Sequence, residues 1–233
     1  MGSTFVNPDR WCFAWAADAA NPSGAEKAAL IRRSAWQPGD TISVSFLDGD
    51  PSMWNRVKQV AKRWIGAEMA NLTFAFRTDT QRTDVRISFR QVGSWSVIGT
   101  TCKRLSDPSK PTMNLGLSSK MSEDAIWRTV LHEFGHVLGL IHEHQHPMGG
   151  ISWNRRAVFA DLKGPPHHWS KTKIRRNLFE PIATGEINGT IFDKDSIMLY
   201  PIPARWTTNG FSSGLNSGLS LGDRQLVVER YPH

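Results

Sequence analysis

The chain has 233 residues, with 28 Lys and Arg against 21 Asp and Glu for a formal net charge of +7, and 39% of its residues are hydrophobic. This composition excludes collagen, a wholly disordered chain and a multi-span membrane protein, and the length suits one domain or two closely packed lobes. A pI near 9.7 permits attraction to acidic partners. However, the densest basic run (Lys171, Lys173, Arg175, Arg176) reads as the solvated face of a helix begun by Ser170, and no aromatic-interleaved nucleic-acid motif accompanies it.

Residues 1–36 read as an extension broken by Pro8, Pro22, Ser23 and Gly24, with room for a short helix near Ala25 to Arg33. The apolar run Trp11 to Ala17 is too short and too rich in Trp for a convincing secretory signal, and no stretch has the length of a transmembrane helix. After the turn Pro38-Gly39-Asp40, Thr41 to Leu47 alternates as a strand. Ser52 can then cap a helix to about Ala67, with Trp54, Val57, Ala61, Trp64 and Ile65 as its apolar stripe. Strands follow at Leu72 to Arg77, Val85 to Arg90 and Thr112 to Gly116. Ser122 can cap the next helix, whose positive first turn holds Glu123 and Asp124, and which runs to about Leu138. Beyond Leu140 the chain is irregular, with helices near Trp169 to Phe179 and Gly222 to Tyr231. The order predicts an α+β fold of two lobes meeting at a histidine-rich segment, the upper lobe about 37–139 and the lower about 140–233.

That segment carries the chemistry. No His precedes position 132, and five of the eight fall between His132 and His146. On a helix His132 and His136 lie one turn apart on one face, so both imidazoles can reach a single ion, with Glu133 beside them. Gly139 can end the helix in a left-handed cap, after which the chain reverses and can bring His142 to the same ion. Three neutral imidazoles and a water make an open tetrahedral site, the arrangement of catalytic zinc. Zinc activates the water while Glu133 acts as general base and then acid.

The run His132-Glu133-x-x-His136-x-x-Gly139-x-x-His142 resembles the signature of the metzincin zinc endopeptidases, and Met198 in Asp195-Ser196-Ile197-Met198-Leu199-Tyr200 matches their Met-turn. Glu143 after the third histidine and Tyr200 two residues past the methionine resemble the astacin-like branch. The resemblance implies a two-lobed catalytic domain over 37–233, one zinc ion on His132, His136 and His142, and Met198 as a floor beneath the metal. It gives Tyr200 the role of a distant fifth ligand that swings to bond the developing oxyanion. It makes Thr112, Met113, Asn114, Leu115 and Gly116 an edge strand that takes substrate as an added antiparallel strand. It also places Arg205 beside the pocket for the residue after the scissile bond, where it would favour an acidic side chain.

Two features depart from astacins: His146 stands at the position of an expected Arg, and two cysteines allow one disulfide at most. His144 and His146 read as supporting or loop residues, since three ligands suffice. Cys12 and Cys102 are compatible with a disulfide or with two thiols. Cys12, on a possible prosegment, is also a candidate latency thiol for the fourth zinc position, as in matrixin prosegments.

The function expected is a monomeric, secreted zinc endopeptidase acting on protein or peptide substrates, with no nucleic-acid partner. The alternatives are a catalytically silent binding module in a metzincin shell, against which the intact Glu133 speaks, and a basic surface or nucleic-acid binder that holds zinc.

Overall fold

The computed structural model describes residues 12–15, 34–79, 82–165, 167–180 and 191–233. The short helix expected near 25–33 lies outside them. Six strands form one mixed sheet: β1 (Cys12–Trp15), β2 (Thr41–Phe46), β3 (Thr73–Phe76), β4 (Val85–Ser88), β5 (Ser94–Val97) and β6 (Met113–Asn114). Their spatial order is β1-β5-β6-β4-β2-β3. Every pairing is parallel except that of β5 with β6. In β2 the buried Ile42 and Val44 give the alternation seen in the sequence. All of β4 is buried, as befits a strand hydrogen-bonded on both sides.

This order corrects one expectation. The Thr112–Gly116 segment is interior: β6 is hydrogen-bonded to β4 on one side and to β5 on the other. Thr112, Met113, Asn114 and Leu115 are all buried, so no edge is left there for a substrate strand. Beyond β6 lies β5, whose other side pairs in parallel with β1, the terminal strand, Cys12 opposite Ser94 and Trp15 opposite Val97.

Helix α1 (Pro51–Ala61) begins two residues earlier than Ser52 would place it: the cap is Asp50, whose carboxylate accepts the Ser52 N–H at 2.8 Å, and Pro51 follows as a first helical residue with no N–H to satisfy. Of the expected stripe, Val57, Ala61 and Trp64 are buried, joined by Met53 and Val60. Helix α2 (Glu123–Val137) starts on the Ser122 cap and packs against β5 and α1. Its last carbonyls, which have no helical partner, are met by side chains of other segments. Trp36 donates its indole N–H to Val137 O at 2.7 Å and Tyr231 its hydroxyl to Leu138 O, also at 2.7 Å. Three further helices are α3 (Arg155–Lys163), α4 (Lys171–Ile174, capped by Ser170 and continued as a π-helical turn over Arg175–Phe179) and α5 (Leu221–Arg230, with a Ser220–Asp223 capping box).

Two hydrophobic clusters divide the interior. One joins the sheet, α1, α2 and the end of α5. The other gathers Val158, Leu162, Trp169, Ile174, Leu178 and neighbours from the later part of the chain. The segment 197–200 stitches them, since Ile197 and Met198 lie in the first and Leu199 and Tyr200 in the second. Cys102 is a buried free thiol, so it takes no part in a disulfide.

Candidate metal centre

The centre is built where α2 ends. Gly139 adopts φ +80°, and a Schellman closure follows: Gly139 N–H to His136 O at 2.8 Å and Leu140 N–H to Gly135 O at 3.0 Å. This reversal carries His142 back toward the helix face that holds His132 and His136. One nitrogen of each of these three buried residues lies within 4.8 Å of the others. His136 Nε2 and His142 Nε2 are 3.2 Å apart. Two ligands about 2.0–2.1 Å from a tetrahedral zinc would be separated by roughly 3.3 Å, so the pair already spans one edge of such a site.

The other ring nitrogens are tied back. His132 Nδ1 donates to Ile197 O at 2.7 Å, and His136 Nδ1 donates to Leu140 O at 2.8 Å. A carbonyl only accepts, so both rings carry the proton on Nδ1 and present a bare Nε2 to the centre. Burial pushes His132 down to about 4, helped by the charge of Arg128, while burial and the neighbouring His132 hold His136 well below its ordinary value. Both imidazoles are therefore neutral near pH 7, the form that ligates metal.

Glu133, the next residue on α2, is 1% exposed. Beneath the helix, Met198 packs so closely that a Cβ at Gly135 would collide with its sulfur and come within 3.2 Å of Trp64. Glycine at the third position after His132 thus makes room for the methionine. Tyr200 is buried, its ring 4.3 Å from His142 and 6.1 Å from His132 between centroids. Glu143 donates its backbone N–H to Met198 O at 3.0 Å, while its carboxylate accepts the Asp193 N–H at 2.8 Å. Burial, with Asp223 and Asp193 near, pushes that carboxyl up to about 7.

The structure thus brings together His132, His136, His142, Glu133, Met198 and Tyr200. Thr112–Gly116 is an interior strand. Arg205 is paired with Asp161 at 2.6 Å, and that carboxylate also accepts the Trp206 indole N–H. Its guanidinium, about half exposed, is thus engaged with Asp161. Two supporting contacts had no sequence signal: the Ile197 carbonyl on His132, and Asp223, whose carboxylate holds Ser196 and the Ile197 N–H at 2.7 and 2.8 Å. Both connect residues far apart in the chain.

Neither the protein-family models nor the curated proteins contain a match to this chain. Among solved structures, one of myroilysin shares 40% identity, covering 87% of this chain and 98% of that one, with a TM-score of 0.82. The chain belongs to the astacin-like metzincins. A second myroilysin structure, at 35% identity and a TM-score of 0.69, covers 97% of this chain and 92% of its own. High choriolytic enzyme 1, a hatching enzyme zinc-protease from Oryzias latipes (medaka fish), shares the fold at 18% identity, covering 85% of this chain and 94% of that one, TM-score 0.54. As an astacin-like metzincin the chain is a zinc metalloendopeptidase with an α+β fold, and its buried three-histidine group fits one catalytic zinc ion. Among the described residues no helix is long and apolar enough to cross a membrane.

Proposed function

We propose that this protease hydrolyses peptide bonds within extended segments of protein substrates, with His132, His136 and His142 holding the zinc and Glu133 moving the proton. The supporting observation is the buried histidine triad, with the Nδ1 of His132 and of His136 on backbone carbonyls, immediately beside the buried Glu133. Bound there, zinc would lower the pKa of a water toward neutrality and polarise the scissile carbonyl. Glu133 takes the proton from that water as its oxygen attacks the carbonyl carbon, then delivers it to the amine as the C–N bond breaks. Tyr200 donates its phenol O–H toward the developing oxyanion, and Met198 shapes the floor under the triad.

In this reading residues 37–233 are the catalytic domain and 1–36 a prosegment. Its strand Cys12–Trp15 occupies the outer edge of β5, the edge an extended substrate would need. The 97% coverage by one myroilysin structure leaves too few residues uncovered to omit that extension, which supports its being shared. Cys12, first residue of β1, remains the candidate latency thiol. The enzyme works as a monomer outside the cell, a placement that its enrichment in culture supernatant over cell lysate would support.

The test is cleavage of an unfolded protein with and without a chelator, beside Glu133→Ala. The expected result is loss of activity with chelator, recovery with zinc, and a fall of about 10²–10⁴-fold in kcat for the variant with zinc still bound. Activity that survives both treatments would sink the proposal.

A further inference from the structure

The turn Glu143–Gln145 that leaves the third histidine docks on the lower helix. His144 is 4% exposed, and its Nε2 donates to Asn177 O at 2.6 Å. Gln145 beside it donates to Arg176 O at 3.0 Å and Glu180 O at 3.1 Å. These acceptors lie in and just after the π-helical turn Arg175–Phe179, closed by Glu180 N–H to Arg175 O at 3.1 Å. Such turns recur at functional sites.

The hydrogen bond fixes both the tautomer and the plane of the His144 ring. That plane lies within 28° of Tyr200 with centroids 4.5 Å apart, and within 19° of His142 at 5.2 Å. Tyr200 is thus bounded by two imidazoles, one from the triad and one tied to the lower helix. A buried phenol that must reach a forming oxyanion needs its travel limited, because a misplacement of about 1 Å can cost about 10²-fold in rate.

We propose that His144 is a positioning residue for Tyr200: its imidazole, tethered to the Asn177 carbonyl, is the wall that holds the phenol for reaction. This rests on the reading of Tyr200 as the oxyanion donor. The two are separated by measuring kcat, KM and zinc affinity (by chelator competition) for His144→Ala, His144→Phe, Tyr200→Phe and the double variant His144→Ala/Tyr200→Phe. His144→Ala should lower kcat about tenfold with KM within about twofold and zinc affinity unchanged, a modest share of what misplacement can cost. The phenyl ring of His144→Phe should recover most of that loss, and His144→Ala should add nothing in the Tyr200→Phe background.

Losses that multiply in the double variant overturn the inference, as does zinc affinity that falls in step with kcat. Should His144→Ala fail to fold, His144→Gln, which keeps the donor without a ring, replaces it, and a Gln variant more active than the Phe variant overturns the inference. Full kcat in Tyr200→Phe overturns the reading of Tyr200 itself. A Tyr200→Phe loss beside an unaffected His144→Ala overturns only the role of His144.

Discussion

A side chain placed in a protein interior is defined by what its remaining atoms can do, and Cys102 shows this as clearly as the histidines. Burial pushes its thiol up to about 12, with the nearby charge of Asp84 acting in the same direction. Unfolding returns it to its ordinary 9.0. The stability linked to this group is therefore intact below pH 9.0 and is lost as pH climbs from there toward about 12. We expect Cys102 in the native protein to resist iodoacetamide at about pH 9, where a thiol of ordinary pKa is about half ionised, and to react once the chain is unfolded. Peptide mapping of the alkylated protein checks this, and rapid native labelling at Cys102 would contradict it. At this scale the metal centre was legible because its residues sit within a short local pattern, two histidines one helical turn apart and a glycine where the chain must reverse. The partners were not legible. Asn177 on His144, Ile197 on His132 and Asp161 on Arg205 are brought in by tertiary packing, and nothing in local spacing marks a backbone carbonyl as an acceptor.

The element that does most for the centre is the end of α2. One backbone turn at Gly139 closes the helix, and its next carbonyl, Leu140 O, fixes the His136 ring. Gly139→Ala would force a Cβ into the left-handed region at φ +80° and bring it within 3.2 Å of Arg230. The expected cost is about 1–2 kcal/mol of stability, measured by denaturant unfolding, together with weaker zinc binding in a chelator titration. Unchanged zinc affinity would show that the Leu140 carbonyl is not held by this turn. Elements with side-chain caps were readable in outline, as Ser122, Ser170 and Ser220 each stand at a helix start. Ser52 misled because Asp50, two residues earlier, competes for the same N–H groups and Pro51 favours the earlier start. Helix α3 escaped placement, its Asn154 cap lying in a stretch of mixed polar residues. Strand order is a different kind of information: β2, β3, β4 and β6 could be read singly, while β1 and β5 were not, and the insertion of β6 between β4 and β5 depends on contacts across the whole sheet.

Over the whole molecule, the two hydrophobic clusters meet along the segment from Ile197 to Tyr200, so the site lies on the seam rather than within either cluster. The N-terminal strand closes the sheet edge on the same molecule. If that strand is an occupant of the substrate edge, activity scales with the fraction of molecules in which the edge is open. Removal of residues 1–36 should then raise kcat/KM on an unfolded protein substrate by about tenfold or more. Cys12→Ser in the full chain should give part of that gain if the thiol contributes to latency. No gain on truncation would remove the prosegment role, and a gain on truncation without one for Cys12→Ser would leave latency to the strand alone.

The seating of Met198 also bears on how the enzyme ages. Met198 is 2% exposed and its sulfur fills the space a Cβ at position 135 would need, whereas Met148 is 71% exposed. A mild oxidant should therefore convert Met148 to the sulfoxide first, with proteolysis undiminished. Met198 should yield only under conditions that open the interior, because an added oxygen has no volume to enter there. Once formed, that sulfoxide would press on the helix bearing His132 and His136, and inactivation by peroxide should track the second event and not the first. Mass mapping of the two residues against residual activity would distinguish a durable catalyst with a sacrificial surface methionine from one whose metal floor is its weak point.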